Sequence, residues 1–290
     1  MKPLVSVIVP CFEHSSVLRE CLTALRQQSY PADSYEIIVI DNSDDFPTLD
    51  LSSFPETRVE YEARPGSYAA RNKGIGVARG QIFAFTDADC VPGRHWIENG
   101  VTHLLSLKCA GVIGGRIRIT FRDPTAPSIF ELFDAALAFP QDLYVTKQHF
   151  AVTANMFVSR EVFERVGSFN SRLKSNGDWE WGQRVFRNNI PQRFGDNVVV
   201  EHPARATLGA LMVKTVRLAG GAVDLSTGVG LMQVPLDIYN DLRVAAAHWK
   251  ALARKSRRRL LSFTAILAFL TLVRIGEKTR LRAGGTSRRA

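Results

Sequence analysis

Cysteine is scarce in this 290-residue chain: Cys11, Cys21, Cys90 and Cys109 stand without C-x-x-C or Cys/His ligand spacing. That scatter argues against a disulfide framework or a zinc site and fits small buried thiols in a reducing compartment. Long apolar runs are missing too. The start, MKPLVSVIVPC, lacks the h-region and cleavage site of a secretory signal and reads as a first strand. In the tail, Leu260 to Val273 is an uncharged stretch of fourteen residues, short of the roughly 20 that a spanning helix needs. No repeat is visible, and no segment before residue 250 is low in complexity. Acid is nearly absent from the tail, where residues 250–290 hold twelve Lys or Arg against Glu277 alone. The tail thus carries +11, and with a chain total of +9 the remaining 249 residues carry −2. A near-neutral body argues against nucleic acid as a partner.

What is present is an ordinary globular composition, 46% hydrophobic and 22% charged, enough for one large domain or one domain with an appendage. Strands and helices take turns along it. LVSVIVP (4–10) reads as a strand, and SSVLRECLTALRQQ (15–28) as a helix with Val17, Leu18, Cys21, Leu22 and Leu25 on one face and Ser15 or Ser16 as N-cap. YEIIVI (35–40), RVEYE (58–62), QIFAFT (81–86) and GVIGGRIRIT (111–120) read as further strands. SYAARNKGIGVA, closed by Gly80, and HWIENGVTHLLSLK read as helices between them. This alternation predicts an α/β fold of the nucleotide-binding type, with a mostly parallel sheet flanked by helices.

In such sheets ligands sit outside the carboxyl ends of the strands. Three strands end there in polar residues: PCFEHSS, DNSDD with Asp41 directly after Ile40, and TDADC with Asp87 and Asp89. Each alone reads equally well as a strand terminator, since Asp and Asn bond nearby backbone. Three on one edge point to a site. Two repelling carboxylates call for a cation, and Mg²⁺ or Mn²⁺ takes hard oxygen ligands. If the strand continued through Ala88, Asp87 and Asp89 would share a face. Gly74 and Gly76 lie inside a helix and lack the strand-loop-helix setting of a dinucleotide fingerprint.

The ordered segments VSVIVPCFEHSSVLRECLTALRQQSYP, YEIIVIDNSDD, RPGSYAARNKGIGVARG, FAFTDADCVP, TANMFVSREVFERVGSFN and NGDWEWGQRV, spanning roughly residues 4–202, together resemble a family 2 glycosyltransferase with the GT-A fold. The resemblance implies a catalytic domain over residues 1–205, with a nucleotide-sugar half (1–122) and an acceptor half (123–205), followed by a helical C-terminal extension (206–290). It implies that Pro10, Phe12 and Glu13 flank the base and ribose, and that Asp41 accepts from the base ring. Phe12-Glu13 replaces the family's frequent Tyr-Asn, which leaves the base open. Gly66 and Ser67 turn the chain into a helix, while Arg64, Arg71 and Asn72 offer donors to phosphate or ribose; solvated charge is the competing reading for both arginines. Asp89 is the implied direct metal ligand, Asp87 lies nearer the ribose or a metal-bound water, and His202 is a further metal candidate that reads equally as a structural histidine.

Inverting transfer also needs a general base for the attacking hydroxyl. Asp178 and Glu180 stand at the start of a helix continued by Val185 and Phe186, where the dipole favours carboxylates. By resemblance Asp178 matches the second acid of the family's Glu-Asp pair, Gly177 replaces the Glu, and Glu180 is a rival base or an acceptor-binding residue. Trp179 and Trp181 are open between stacking on a sugar and facing the core. Asn155 is placed near the acceptor and Arg160 at a helix start. Without the QxxRW of processive synthases, one sugar is moved. The expected activity is therefore metal-dependent inverting transfer from a nucleotide-diphosphate sugar to a glycan or lipid-linked hydroxyl. The alternatives are a non-catalytic nucleotide-sugar binder or a nucleotidyltransferase, the latter disfavoured because PCFEHSS has no Gly. Residues 250–282, apolar with basic flanks, fit a helix lying in a membrane interface or an ordinary packing helix. The first reading places the protein in the cytoplasm, peripheral on the cytoplasmic membrane face.

Overall fold

The computed structural model describes residues 2–12, 15–44, 51–226, 231–255 and 259–286. Its eight strands form one sheet in the order β3-β2-β1-β4-β7-β6-β8-β5. The members are β1 (Val5–Cys11), β2 (Tyr35–Asp41), β3 (Thr57–Tyr61), β4 (Ile82–Thr86), β5 (Val91–Pro92), β6 (Val112–Thr120), β7 (Asn155–Ser159) and β8 (Gln192–Pro203). The βαβ alternation produces the parallel run β3-β2-β1-β4. The mostly parallel expectation holds for that half. The strands that follow pair antiparallel, β4 with β7, β6 with β7 and β5 with β8, so the sheet as a whole is mixed.

Val5, Val7, Ile8 and Val9 are fully buried, as are Ile38 to Ile40 and Phe83 to Phe85. Successive strand residues face opposite sides, so burial without alternation means that both faces of the sheet are covered. The cover comes from α1 (Ser15–Arg26), α2 (Ser67–Val77), α3 (Trp96–Leu105), α5 (Gln141–Gln148), α6 (Arg160–Val166) and α7 (Gly177–Arg187), which belong with the sheet. Leu18, Leu22 and Leu25 of α1 are fully buried at the predicted spacing. Each such burial stabilises the fold by roughly 1.5–3 kcal/mol.

By its internal contacts the chain forms two compact units, the first comprising Met1–Arg118, Phe139–Arg172 and Gly177–His202, the second Ile119–Ala138, Leu173–Asn176 and Pro203–Ala290. The second unit contains α4 (Ile129–Leu137), α8 (Leu208–Leu225), α9 (Val234–Lys255) and α10 (Leu260–Arg282). Helix α4 starts with a capping box: the Ser128 hydroxyl accepts from Glu131 N at 3.2 Å and Ser128 N donates to Glu131 Oε2 at 2.7 Å. Phe133, Leu211, Leu252, Phe263, Ile266, Leu267 and Leu270 make its core. Residues 119–138, by sequence the end of the nucleotide-sugar half and the start of the acceptor half, therefore pack with the tail helices.

Candidate active site

Asn42, just beyond β2, organises the loop into α2. Its amide donates to Glu62 O at 2.6 Å and Arg64 O at 2.8 Å, and its carbonyl accepts from Gly66 N at 2.9 Å. Gly66 turns the chain at φ 120°, a region that favours glycine. From this start α2 presents Tyr68 and Arg71, three residues apart on one face. Arg71 is buried, its Nη2 donates to Asp87 Oδ1, and its Nε has no partner among the described residues. The solvated-charge reading of Arg71 is thereby replaced by a buried ion pair.

Asp87 and Asp89 follow β4 in a turn closed by Cys90 N donating to Asp87 O at 3.1 Å. The strand stops at Thr86. The two carboxylates converge through this turn, and not through the strand alternation expected from sequence. The next strand brings the third side chain: β5 pairs Val91 with Glu201 on β8, one residue before His202. His202 Nε2 lies 3.8 Å from Asp89 Oδ2, and its buried ring packs on Phe139 at 5.0 Å between centroids. One ligand atom from each of Asp87, Asp89, Cys90 and His202 falls within 4.8 Å of all the others. Two carboxylates and an imidazole suit Mn²⁺ or Mg²⁺. Burial and the neighbouring Asp87 and Asp89 push the Cys90 thiol well up, so it stays protonated and is a poor member of that set.

Helix α7 begins at Gly177, whose missing side chain lets the Tyr68 ring of α2 approach its backbone. A Cβ at position 177 would stand 2.7 Å from the Tyr68 ring. Asp178 Oδ1 accepts from the Tyr68 hydroxyl at 3.2 Å and from Trp179 N at 2.9 Å. Burial pushes its carboxyl up from the ordinary aspartate range, opposed by the Trp179 amide, the Arg71 charge and the Tyr68 hydroxyl. Tyr144 on α5 is raised in turn, by burial and by the Asp178 charge.

Of the remaining predicted residues, Pro10 lies opposite Ile40 near the end of β1, and Cys11 opposite Asp41. Phe12 follows β1 and is partly buried, while Glu13 lies outside the described residues. Asp41 is buried; Oδ1 accepts from Ser43 N at 3.0 Å, and Oδ2 has no partner among the described residues. Arg64 is exposed and pairs with Glu62 at 2.9 Å. The Asn72 amide is occupied at both ends by the backbone of Phe169, at 2.8 and 3.0 Å, and so pins α2. Glu180 forms an i,i+4 pair with Arg184 at 2.8 Å. Asn155 is fully buried, its amide donating to Arg116 O and Val198 O at 2.9 Å and accepting from Trp96 at 2.9 Å, a bridge inside the sheet that uses both of its N–H donors. Arg160 caps Gly80 O and Ala78 O. Trp181 is buried with its Nε1 on Gly167 O, whereas Trp179 is exposed. Tyr68 and Asn42 were missed by sequence reasoning; the signal for Tyr68 is its i,i+3 relation to Arg71.

Residues 6–167 match the family model described as Glycosyl transferase family 2. Among curated proteins, the chain is 33% identical over 229 residues to glycosyltransferase AglE of Haloferax volcanii, covering 77% of this chain and 74% of that one. It is 21% identical to the Methanococcus voltae dolichyl N-acetyl-alpha-D-glucosaminyl phosphate 3-beta-D-2,3-diacetamido-2,3-dideoxy-beta-D-glucuronosyltransferase, covering 73% and 70%. Among solved structures, the mannosyltransferase PcManGT of Pyrobaculum calidifontis in complex with GDP-Man and Mn2+ superposes with a TM-score of 0.64 at 19% identity over 96% of this chain and 87% of that one. The S. aureus TarS fragment in complex with UDP-GlcNAc gives 0.55 at 14% identity over 96% and 90%.

Proposed function

The chain belongs to glycosyl transferase family 2 and is a glycosyltransferase of GT-A fold, and from that premise we propose that it transfers one sugar, with inversion and with the help of a divalent cation, from a nucleotide-diphosphate sugar to a hydroxyl acceptor. One observation carries the reading: a single guanidinium, Arg71, is bonded to Asp87 of the cation cluster while its charge acts on Asp178. A donor-holding group and a proton acceptor are thus adjacent, as displacement at an anomeric carbon requires. Asp89 and His202, with Asp87 beside them, would hold the cation, which when bound offsets the charge of the departing nucleoside diphosphate. Asp41 Oδ2, a buried acceptor with no partner among the described residues, suits a ring N–H of the base. Asp178 takes the proton of the acceptor hydroxyl as that oxygen bonds the anomeric carbon and the bond to the diphosphate breaks on the opposite face. Exposed Trp179 offers an aromatic face for the acceptor sugar.

A thermal-shift screen of nucleotide diphosphates and their sugars with and without Mn²⁺ tests this reading. A Mn²⁺-dependent rise in melting temperature for one of them is expected, and no response to any would overturn it.

The proposed acceptor is a lipid-linked glycan, met at the cytoplasmic membrane face. By length and composition α10 is apolar enough to cross a membrane. Its polar half favours lying on the surface. Lys278 bonds Asp241 at 2.8 Å and Arg282 bonds Asp237 at 2.9 Å, both of α9, and insertion across a bilayer would separate these pairs. Leu261, 89% exposed, and Leu272, 69% exposed, share an uncharged outward face with Ala265, Ala268 and Phe269. Exposed Arg254 and Arg259 precede it, as anionic lipid requires. The chain should float with phosphatidylglycerol-containing vesicles, and the double substitution Leu261→Glu, Leu272→Glu should abolish flotation. Unchanged flotation of that variant would sink the membrane reading.

A further inference from the structure

The Tyr68 hydroxyl belongs to none of the roles assigned so far, and its surroundings are built around it. Its ring rests on the Gly177 backbone, where a Cβ would come within 2.7 to 2.8 Å of three ring carbons. Phe169 packs on the ring at 5.7 Å between centroids, and the Arg71 guanidinium lies 5.7 Å from the ring centroid. Tyr68 and Asp178 are 110 positions apart in the chain, so this contact exists only where α2 meets the start of α7. Two donors to the carboxylate, the Tyr68 hydroxyl and Trp179 N, address the same oxygen, Oδ1. Two donors on one oxygen restrict rotation of the carboxyl group.

We propose that Tyr68 is the positioning residue of the proton acceptor: through its hydroxyl it sets the orientation and basicity of Asp178, and the missing side chain at Gly177 is what admits it. The inference rests on Asp178 being the base. A hydroxyl donating to a carboxylate favours the charged form, so Tyr68 keeps ready for proton uptake a group that burial drives toward the neutral state. Other titratable and charged groups meeting Asp178 are Arg71, which also favours the charged form, and Tyr144, which is neutral below its raised pKa. Glu180 of the same helix is engaged by Arg184.

The test uses the full chain and needs no ligand. In chain labelled with ¹³C at aspartate Cγ, with the Asp178 signal identified by its loss in Asp178→Asn, the carboxyl is titrated in wild type and in Tyr68→Phe. Phe keeps the ring packing, so the fold is preserved, and the Asp178 titration should move to higher pH by about one unit, a roughly tenfold change in its proton affinity. Gly177→Ala, which displaces the ring, should move it the same way. A Tyr68→Phe titration that superimposes on wild type overturns the inference. Activity separates this from the premise, with GDP-Man and UDP-GlcNAc hydrolysis in Mn²⁺ as the probe. If the hydrolysed donor turns over equally in Asp178→Asn, the base assignment falls and the proposal with it. If Asp178→Asn is inactive and Tyr68→Phe lowers kcat roughly tenfold at unchanged KM, with its acidic limb shifted upward, both stand.

Discussion

Two groups of buried charge in this chain look alike in residue type and differ in balance. In the second unit three acids have met their cations. Asp134, with a side chain 3% exposed, accepts from Lys214 at 2.8 Å and Arg205 at 3.3 Å, Asp241 from Lys278, and Asp237 from Arg282. In the first unit the accounts do not close: Asp87 and Asp178 lean on the one guanidinium of Arg71, and Asp89 faces the His202 ring at 3.8 Å. Balanced charge fastens helices and asks for nothing more. Unbalanced carboxylate at the mouth of a sheet is where a ligand supplying positive charge would be most stabilising.

The largest effect should follow from emptying the unbalanced cluster. Asp89→Ala should lose the Mn²⁺ response in nucleotide-diphosphate binding and about a thousandfold or more in turnover. Without metal it should melt no lower than wild type, since it removes repulsion, and differential scanning fluorimetry with and without Mn²⁺ reads both. Lys214→Met should do the reverse. It leaves Asp134 buried with Arg205 alone and should cost about 2 to 3 kcal/mol in denaturant unfolding while kcat stays near wild type. A Lys214→Met enzyme that folds normally yet loses Mn²⁺ dependence would break the contrast.

Acid should show the same division. Burial raises the Asp134 carboxyl, but Lys214 and Arg205 outweigh it and hold it below the ordinary aspartate value. A depressed carboxylate contributes stability above its unfolded pKa and loses it as pH falls through the folded value. Unfolding free energy should therefore decline below about pH 4, and Asp134→Asn should flatten that decline. The smallest effect is expected at Glu180. Its partly exposed i,i+4 pair with Arg184 is worth under about 0.5 kcal/mol, so Glu180→Gln should change turnover less than roughly threefold. A larger loss would move the base from Asp178 to Glu180.

The sequence was most legible where the physics is local. Buried strand runs and the Leu18, Leu22, Leu25 stripe declare themselves within a few residues, which is why β1 to β4 and α1 to α3 were readable. The acids at strand ends were legible as residue types. Their geometry was not, because the turn after Thr86 depends on where β5 and β8 meet. Arg71 and Asn72 looked like ligand donors because nothing nearby in sequence announces Asp87 or the backbone of Phe169 as partners. Likewise the antiparallel strands and the packing of 119–138 with the tail helices are decided by contacts between distant segments. An apolar face such as that of α4 does not say which core it joins.

The two-residue strand β5 has one more consequence, in time. Asp87 and Asp89 leave the ribosome with the parallel half of the sheet, but His202 arrives roughly 110 residues later, at the far end of β8. At synthesis rates of about 5–20 residues per second the acids wait on the order of ten seconds for their third neighbour. A cation held as proposed by Asp87, Asp89 and His202 together would therefore favour finished chains over nascent ones, and would act as a check that the last strand has been laid down.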